Sequence, residues 1–162
     1  MIYLFSNWFN SFLQFLKSLF GMSNFVFDNH FSVEWGGTRV DFTEVHGLSF
    51  QREVVLFREG SQKSESAQKL PGLEEVRNII LRRYLYKKDL EMYDWWREQS
   101  LEVRFRDVTV KLLNKHHEPI FVWRLLNAFP VRVSYSSLTA VKAQPMIEEI
   151  ELAFETMSLE SA

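Results

Sequence analysis

A chain of 162 residues with 46% hydrophobic content has enough apolar side chain to bury one core, close to the common domain size of about 100 to 150 residues. Its formal charge of −2, with basic residues dispersed among acids, argues against a nucleic-acid binder, which needs clustered Lys and Arg to neutralise phosphates. The absence of cysteine excludes disulfides, thiolate zinc sites and a cysteine nucleophile, so the fold relies on packing without covalent staples.

Residues 1–21 differ in kind from the rest: they are aromatic-rich and carry one charge, Lys17. Phe5, Trp8, Phe9, Phe12, Leu13, Leu16, Leu19 and Phe20 fall on one helical stripe, with Ser6, Asn7, Asn10, Ser11, Gln14 and Ser18 largely opposite. Polar residues at every turn exclude a membrane span, and the missing basic n-region makes a signal peptide a poor fit. Three readings stand: an extension upstream of a natural start at Met22, a helix that docks on a partner or on the domain, or an interfacial membrane helix. The domain proper is expected over residues 22–162.

From Phe31 the pattern turns to period two. Phe31, Val33 and Trp35 share one face and Ser32 and Glu34 the other; Gly36-Gly37 then breaks the run and Val40-Asp41-Phe42 resumes it, a hairpin signal. Leu48 to Glu59 reads as a long strand, with Leu48, Phe50, Val54 and Leu56 on one face. Gly60 to Gly72 is a polar arm with almost no apolar content before Leu70-Pro71-Gly72, and a loop of that length is usually functional or disordered. Val76 to Tyr86 reads as a strand. Asp89 is a plausible N-cap for a helix whose Leu90, Tyr93 and Trp96 share one face.

Period two returns at Val103: Val108, Val110 and Leu112 oppose Asp107, Thr109 and Lys111, and Asn114 to Pro119 turns into Ile120 to Leu125. Pro130 is expected to start a strand over Val131 to Tyr135. After Pro145, Ile150, Leu152 and Phe154 oppose Glu149, Glu151 and Glu155; this run also suits a helix by propensity, and its strict alternation favours a strand. Seven or eight strands and one helix, without βαβ rhythm, give a mainly β class, a small barrel or sandwich with a flanking helix.

Signals for chemistry are weak. Adjacent strand residues point to opposite sides, so His116-His117-Glu118, with His30 and His46 elsewhere, reads as a turn rather than a metal site. Ser61, Ser64, Ser66 and Ser136-Ser137 lack a nucleophile elbow, and Gly36-Gly37 lacks phosphate-loop spacing. Glu149, Glu151 and Glu155 read as a solvated acidic face rather than paired catalytic carboxylates. Tyr93 and Trp95-Trp96 read as core rather than a stacking platform. No catalytic, cofactor or metal residue is assigned.

Five segments stand together in order: Phe31 to Gly37, Phe42 to Leu48, Lys69-Leu70-Pro71-Gly72, Asn127-Ala128-Phe129-Pro130 and Ile147 to Ala153. Over about Phe27 to Leu159 the chain resembles the tail-tube proteins of contractile injection systems, the group of T4-like phage tail tubes and phage-derived extracellular injection particles. It departs where the family has two glycines before the aromatic helix and this chain has Tyr84 and Lys88, and where methionine is frequent and this chain has Leu70. Residues 1–21 have no counterpart in the resemblance.

The resemblance implies a non-enzymatic β-barrel-like subunit, six of which form a ring, with rings stacked into a tube that sheath contraction fires outward. It implies sheath, baseplate and terminator proteins as partners, a protein effector or phage DNA in the lumen without sequence-specific binding, and assembly in the bacterial cytoplasm. Arg58, Glu59, Lys69, Leu70, Pro71 and Gly72 would then bridge to an adjacent ring, and Glu149, Glu151 and Glu155 would line the lumen or the sheath side. The rival expectations are a β-barrel ligand- or metal-binding module built on His116-His117-Glu118, and a membrane-active protein acting through residues 1–21.

Overall fold

The computed structural model describes residues 26–58 and 67–162. The expectations for residues 1–21, for a start at Met22 and for Glu59 lie outside these residues. The described chain forms ten strands and one helix: β1 (Phe31–Trp35), β2 (Thr38–Val40), β3 (Glu44–His46), β4 (Gln51–Phe57), β5 (Gln68–Glu75), β6 (Ile79–Tyr84), α1 (Glu91–Glu98), β7 (Arg106–Leu113), β8 (Pro119–Tyr135), β9 (Ile147–Ala153) and β10 (Thr156–Ser161). Eight of them make one antiparallel sheet in the order β2-β1-β7-β8-β9-β6-β3, with β10 also beside β8. The path ends at β2 and β3 without joining them, so the sheet is mainly β as expected but does not close into a barrel.

The sheet folds because β8 is long and bent. Its first half pairs with β7 and β10, its second with β9. Asn127, at φ 55°, marks the bend, and the pairing register shifts between Pro130 and Arg132. Pro130 therefore does not start a strand, as its missing N–H suggested; it sits inside one, beside the irregularity where a donor is dispensable. Past that shift the end of β9 and β10 keep one register along β8, Ala153 opposite Phe129 and Thr156 opposite Leu126, with Glu155 N–H donating to Leu126 O at the corner. The helical alternative for this last run is not adopted.

The two halves face each other across a single core of Val33, Trp35, Ile79, Leu81, Val108, Leu125, Ile150 and Leu152, which α1 joins through Met92 and Trp95. Trp35 is the hub: its ring meets Trp95 edge-on at 5.1 Å and Phe42 at 5.4 Å. The inward side of β1 is the one its alternation predicts, and Gly36 and Gly37, at φ 55° and 83°, supply the two-residue turn that joins Trp35 to Thr38. The helix is where the pattern misleads. Its buried residues are Met92 and Trp95, while Leu90, Tyr93 and Trp96 look outward. Leu90 holds the N-cap position, and Asp89 Oδ1 accepts from the Glu91 N–H instead.

The expected arm is also different. The end of the arm, residues 68–72, falls in β5, which among the described residues pairs with β4 alone in a separate two-stranded sheet. Strand β4 is seven residues long, shorter than the run expected to Glu59.

Candidate functional site

The β4–β5 hairpin carries most of the residues singled out from the sequence. Lys69 lies opposite Leu56, Leu70 opposite Val55 and Pro71 opposite Val54, while Arg58 is exposed just past the end of β4. Between Arg52 and Val54 the register shifts, so that Gly72 and Leu73 oppose the single residue Glu53, a β-bulge. A Cβ on Gly72 would lie 3.0 Å from the Val55 side chain and 3.1 Å from the Glu53 carbonyl oxygen, which explains glycine there. Alternation places Val54 and Leu56 on one face and Val55 and Phe57 on the other, and all four are exposed, as are Leu70 and Leu73. Leu73 is 80% exposed and Leu56 66%. Neither strand makes an extended contact with any other described element. A lone two-stranded ribbon is marginal in water, and one that is apolar on both faces is an adhesive surface.

A second exposed apolar surface lies on the body. Tyr93 and Trp96 of α1, with Val131, Val133 and Tyr135 of β8, border a depression of about 240 Å³. Arg97 covers the Tyr93 ring at 5.7 Å, and burial, then the Glu148 carboxylate, holds the Tyr135 phenol above its usual pKa. Aromatic residues expected in the core thus form a surface instead.

The acidic run resolves into two arrangements. Glu149 and Glu151 belong to a charge ladder running across β3, β6, β9 and β8. Arg82 donates to Glu149 Oε2 at 2.7 Å and to Glu44 Oε2 at 3.0 Å, and Arg132 donates to Glu149 Oε1 at 3.2 Å and Glu151 Oε2 at 3.0 Å. His46 at 2.8 Å and then Arg82 hold the Glu44 carboxyl below its usual pKa; Arg82 does the same for Glu149, and both carboxylates raise Arg82 in turn. This face is paired and nearly balanced in charge rather than simply acidic. Glu155 is not on it: it sits at the bend after β9, where Asn127 Nδ2 donates to its Oε2 at 2.6 Å.

Beneath the ladder lies a pair that the sequence reading missed. Arg83 and Glu148, 4% and 0% exposed, join Nε to Oε2 at 3.1 Å. Arg83 also reaches Asp89 at 3.0 Å, and Trp35 Nε1 donates to Glu91 Oε1 at 2.9 Å, so the start of α1 is pinned to the sheet from both sides. The signal was present as Arg82-Arg83 in one apolar strand and Glu148-Glu149 in another. In the β6–β9 register they face each other pairwise, Arg82 with Glu149 and Arg83 with Glu148. Lys88, where the family resemblance led us to expect glycine, adopts φ 66°, the left-handed conformation that glycine would supply, whereas Tyr84 ends an ordinary strand.

The His116-His117-Glu118 turn is held by Asn114, whose Oδ1 accepts from the His116 and Glu118 N–H groups at 2.8 and 3.0 Å. His117 packs edge-on against His30 at 5.4 Å. Among the described residues no three His, Asp, Glu or Cys side chains gather where they could hold a metal ion, and no helix is long and apolar enough to cross a membrane.

Comparison with known proteins follows this geometry. A chain of the sheath–tube complex of an extracellular contractile injection system, PVC, in the extended state matches with a TM-score of 0.79 and 25% identity, covering 90% of this chain and 97% of that one. A chain of the PVC sheath/tube terminator matches with a TM-score of 0.75 and 27% identity, covering 82% and 94%. Hcp1 from Flavobacterium johnsoniae shares the fold alone, with a TM-score of 0.51 and 12% identity over 82% of this chain and 95% of that one. No curated protein matches the chain. The family model described as T4-like virus tail tube protein gp19 matches residues 28–158, and the chain belongs to that family, as a tail-tube protein of contractile injection systems.

Proposed function

We propose that this chain is the structural, non-enzymatic subunit of the inner tube of a phage tail or extracellular injection particle, in which six copies close a ring, rings stack, and sheath shortening drives the tube outward. The observation that carries the reading is the β4–β5 hairpin, apolar on both faces and exposed, with no extended contact to another element among the described residues. Burying apolar surface is worth about 25 cal/mol per Å², so a neighbour that covers both faces gains several side chains' worth of stabilisation at once. The ends of the sheet at β2 and β3 add edges unpaired among the described residues, which ring closure would satisfy.

In this reading Arg58 and Lys69 to Gly72 belong to the segment that reaches an adjacent ring, and the aromatic depression between α1 and β8 is a surface available to receive it. The ladder of Glu149, Glu151, Arg82 and Arg132 faces either the lumen or the sheath. Sheath, baseplate and terminator proteins are the partners, a protein effector or phage DNA is the cargo, and assembly takes place in the bacterial cytoplasm. The sheath–tube and sheath/tube-terminator contexts of the two PVC chains support these assignments. Negative-stain imaging and sedimentation of the purified chain at high concentration test the reading. Rings or short tubes are the expected result, and a strictly monomeric species would overturn it.

A further inference from the structure

The buried pair behind the aromatic depression is out of charge balance. Arg83 meets three carboxylates, Asp89 at 3.0 Å, Glu148 at 3.1 Å and Glu91 at 3.8 Å, and among the described residues no second cation pairs with them. Glu148 turns its Oε2 to Arg83, while its Oε1, fully enclosed, accepts no hydrogen bond. A buried carboxylate oxygen without a donor is costly and therefore rare. Glu148 lies opposite Tyr135 in the β8–β9 register, so the two side chains share a face. Burial and then this carboxylate raise the Tyr135 phenol, which places Glu148 against a residue that borders the depression. The two guanidiniums nearby are already matched, Arg97 by Asp94 at 3.0 Å and Arg132 by Glu149 and Glu151.

We propose that the depression receives Lys69 of a second copy, its stem against Trp96, Val131 and Val133 and its ammonium directed at Tyr135 and Glu148, a contact that presupposes the tube reading above and names the residues that make it. The β4–β5 register sets Lys69 opposite Leu56 and Pro71 opposite Val54, so one face of the hairpin carries a single cation within an apolar patch. The depression is its complement: an apolar and aromatic wall in front of unmatched negative charge. A lysine suits such a site, because its flexible stem packs along apolar surface and its head brings three donors. The faces of Trp96 and Tyr135 add attraction for a cation. Strands β4 and β5 make no extended contact with α1 or β8 of their own chain, so the contact is assigned between copies.

Cross-linking of the full chain tests it. The chain has no cysteine, so two thiols can be placed without interference. Gln68→Cys beside Lys69 and Ser137→Cys just past Tyr135, both at exposed positions, leave Lys69, Glu148 and the lining of the depression unchanged. After assembly at high concentration, with rings checked in negative stain, a short bismaleimide is expected to join positions 68 and 137 of different copies, in products of dimer mass and above. The yield is expected to fall about tenfold when Lys69→Met is added and to persist with Lys69→Arg. The pair Gln68→Cys and Lys115→Cys, at the far end of β8, sets the background. Rings with joining no higher than that background, joining within one copy at monomer mass, or a yield indifferent to Lys69→Met would each overturn the contact and leave the tube reading standing. A chain that forms no rings would overturn the tube reading and this contact with it.

Discussion

Strands β1 and β4 follow the same alternation and meet opposite fates. Val33 and Trp35 of β1 are buried against one core, whereas Val54 and Leu56 of β4 are 58% and 66% exposed. The difference lies in topology: β1 is paired on both sides, by β2 and β7, inside a folded sheet, while β4 has only β5 among the described residues. Period two says that a strand has an apolar face without saying whose core will cover it. Within the described residues β1 finds its cover in the body, and the faces of the hairpin stay exposed.

That contrast predicts which substitutions strike folding and which strike assembly. Trp35→Ala removes the hub that touches Trp95 and Phe42 and is expected to cost about 3–5 kcal/mol, measured by urea unfolding. Glu148→Gln breaks the buried pair with Arg83 and should cost about 3 kcal/mol, near the low end for such pairs because Arg83 retains Asp89. The double substitution Val54→Ser and Leu56→Ser should leave the urea midpoint of the unassembled subunit within about 0.5 kcal/mol of the parent while abolishing rings in negative stain. A large loss of subunit stability from that pair would blur the division between body and hairpin.

The smallest expected effect is acid sensitivity from the charge ladder. The carboxyls of Glu44 and Glu149 lie below their ordinary value of 4.5 in the folded state, so their stabilisation is present above that pH and is lost as pH falls through the lowered folded values. Glu149→Gln should flatten that part of the stability–pH curve below about pH 4.5, with little change near neutrality beyond the fraction of a kcal/mol to about 1 kcal/mol that partly exposed pairs contribute.

Much of the body was legible because local and tertiary demands agree there. The β1–β2 hairpin follows from Gly36-Gly37 between alternating residues, and the β7–β8 hairpin from the Asn114 turn. The helix was placed correctly and faced wrongly: Leu90, Tyr93 and Trp96 have helical spacing, but Met92 and Trp95 share another face, and Arg83 and Trp35 anchor α1 through Asp89 and Glu91 on the side that buries them. Lys69 to Gly72 looked like loop because Pro71 and Gly72 are poor strand residues; an exposed, bulged ribbon tolerates both. The aromatic surface between α1 and β8 was hidden for the same reason as the hairpin, since exposed aromatic residues look like core until the fold shows which side faces water.

Hydrogen–deuterium exchange on the chain before and after assembly tests the central claim most directly. Amides of Gln51–Phe57 and Gln68–Glu75 are predicted to exchange rapidly in the free subunit and to gain at least tenfold protection in assembled rings, while amides of β7 and the first half of β8 change little. Unchanged exchange in the hairpin, with new protection elsewhere, would show that assembly uses another surface and would contradict the account.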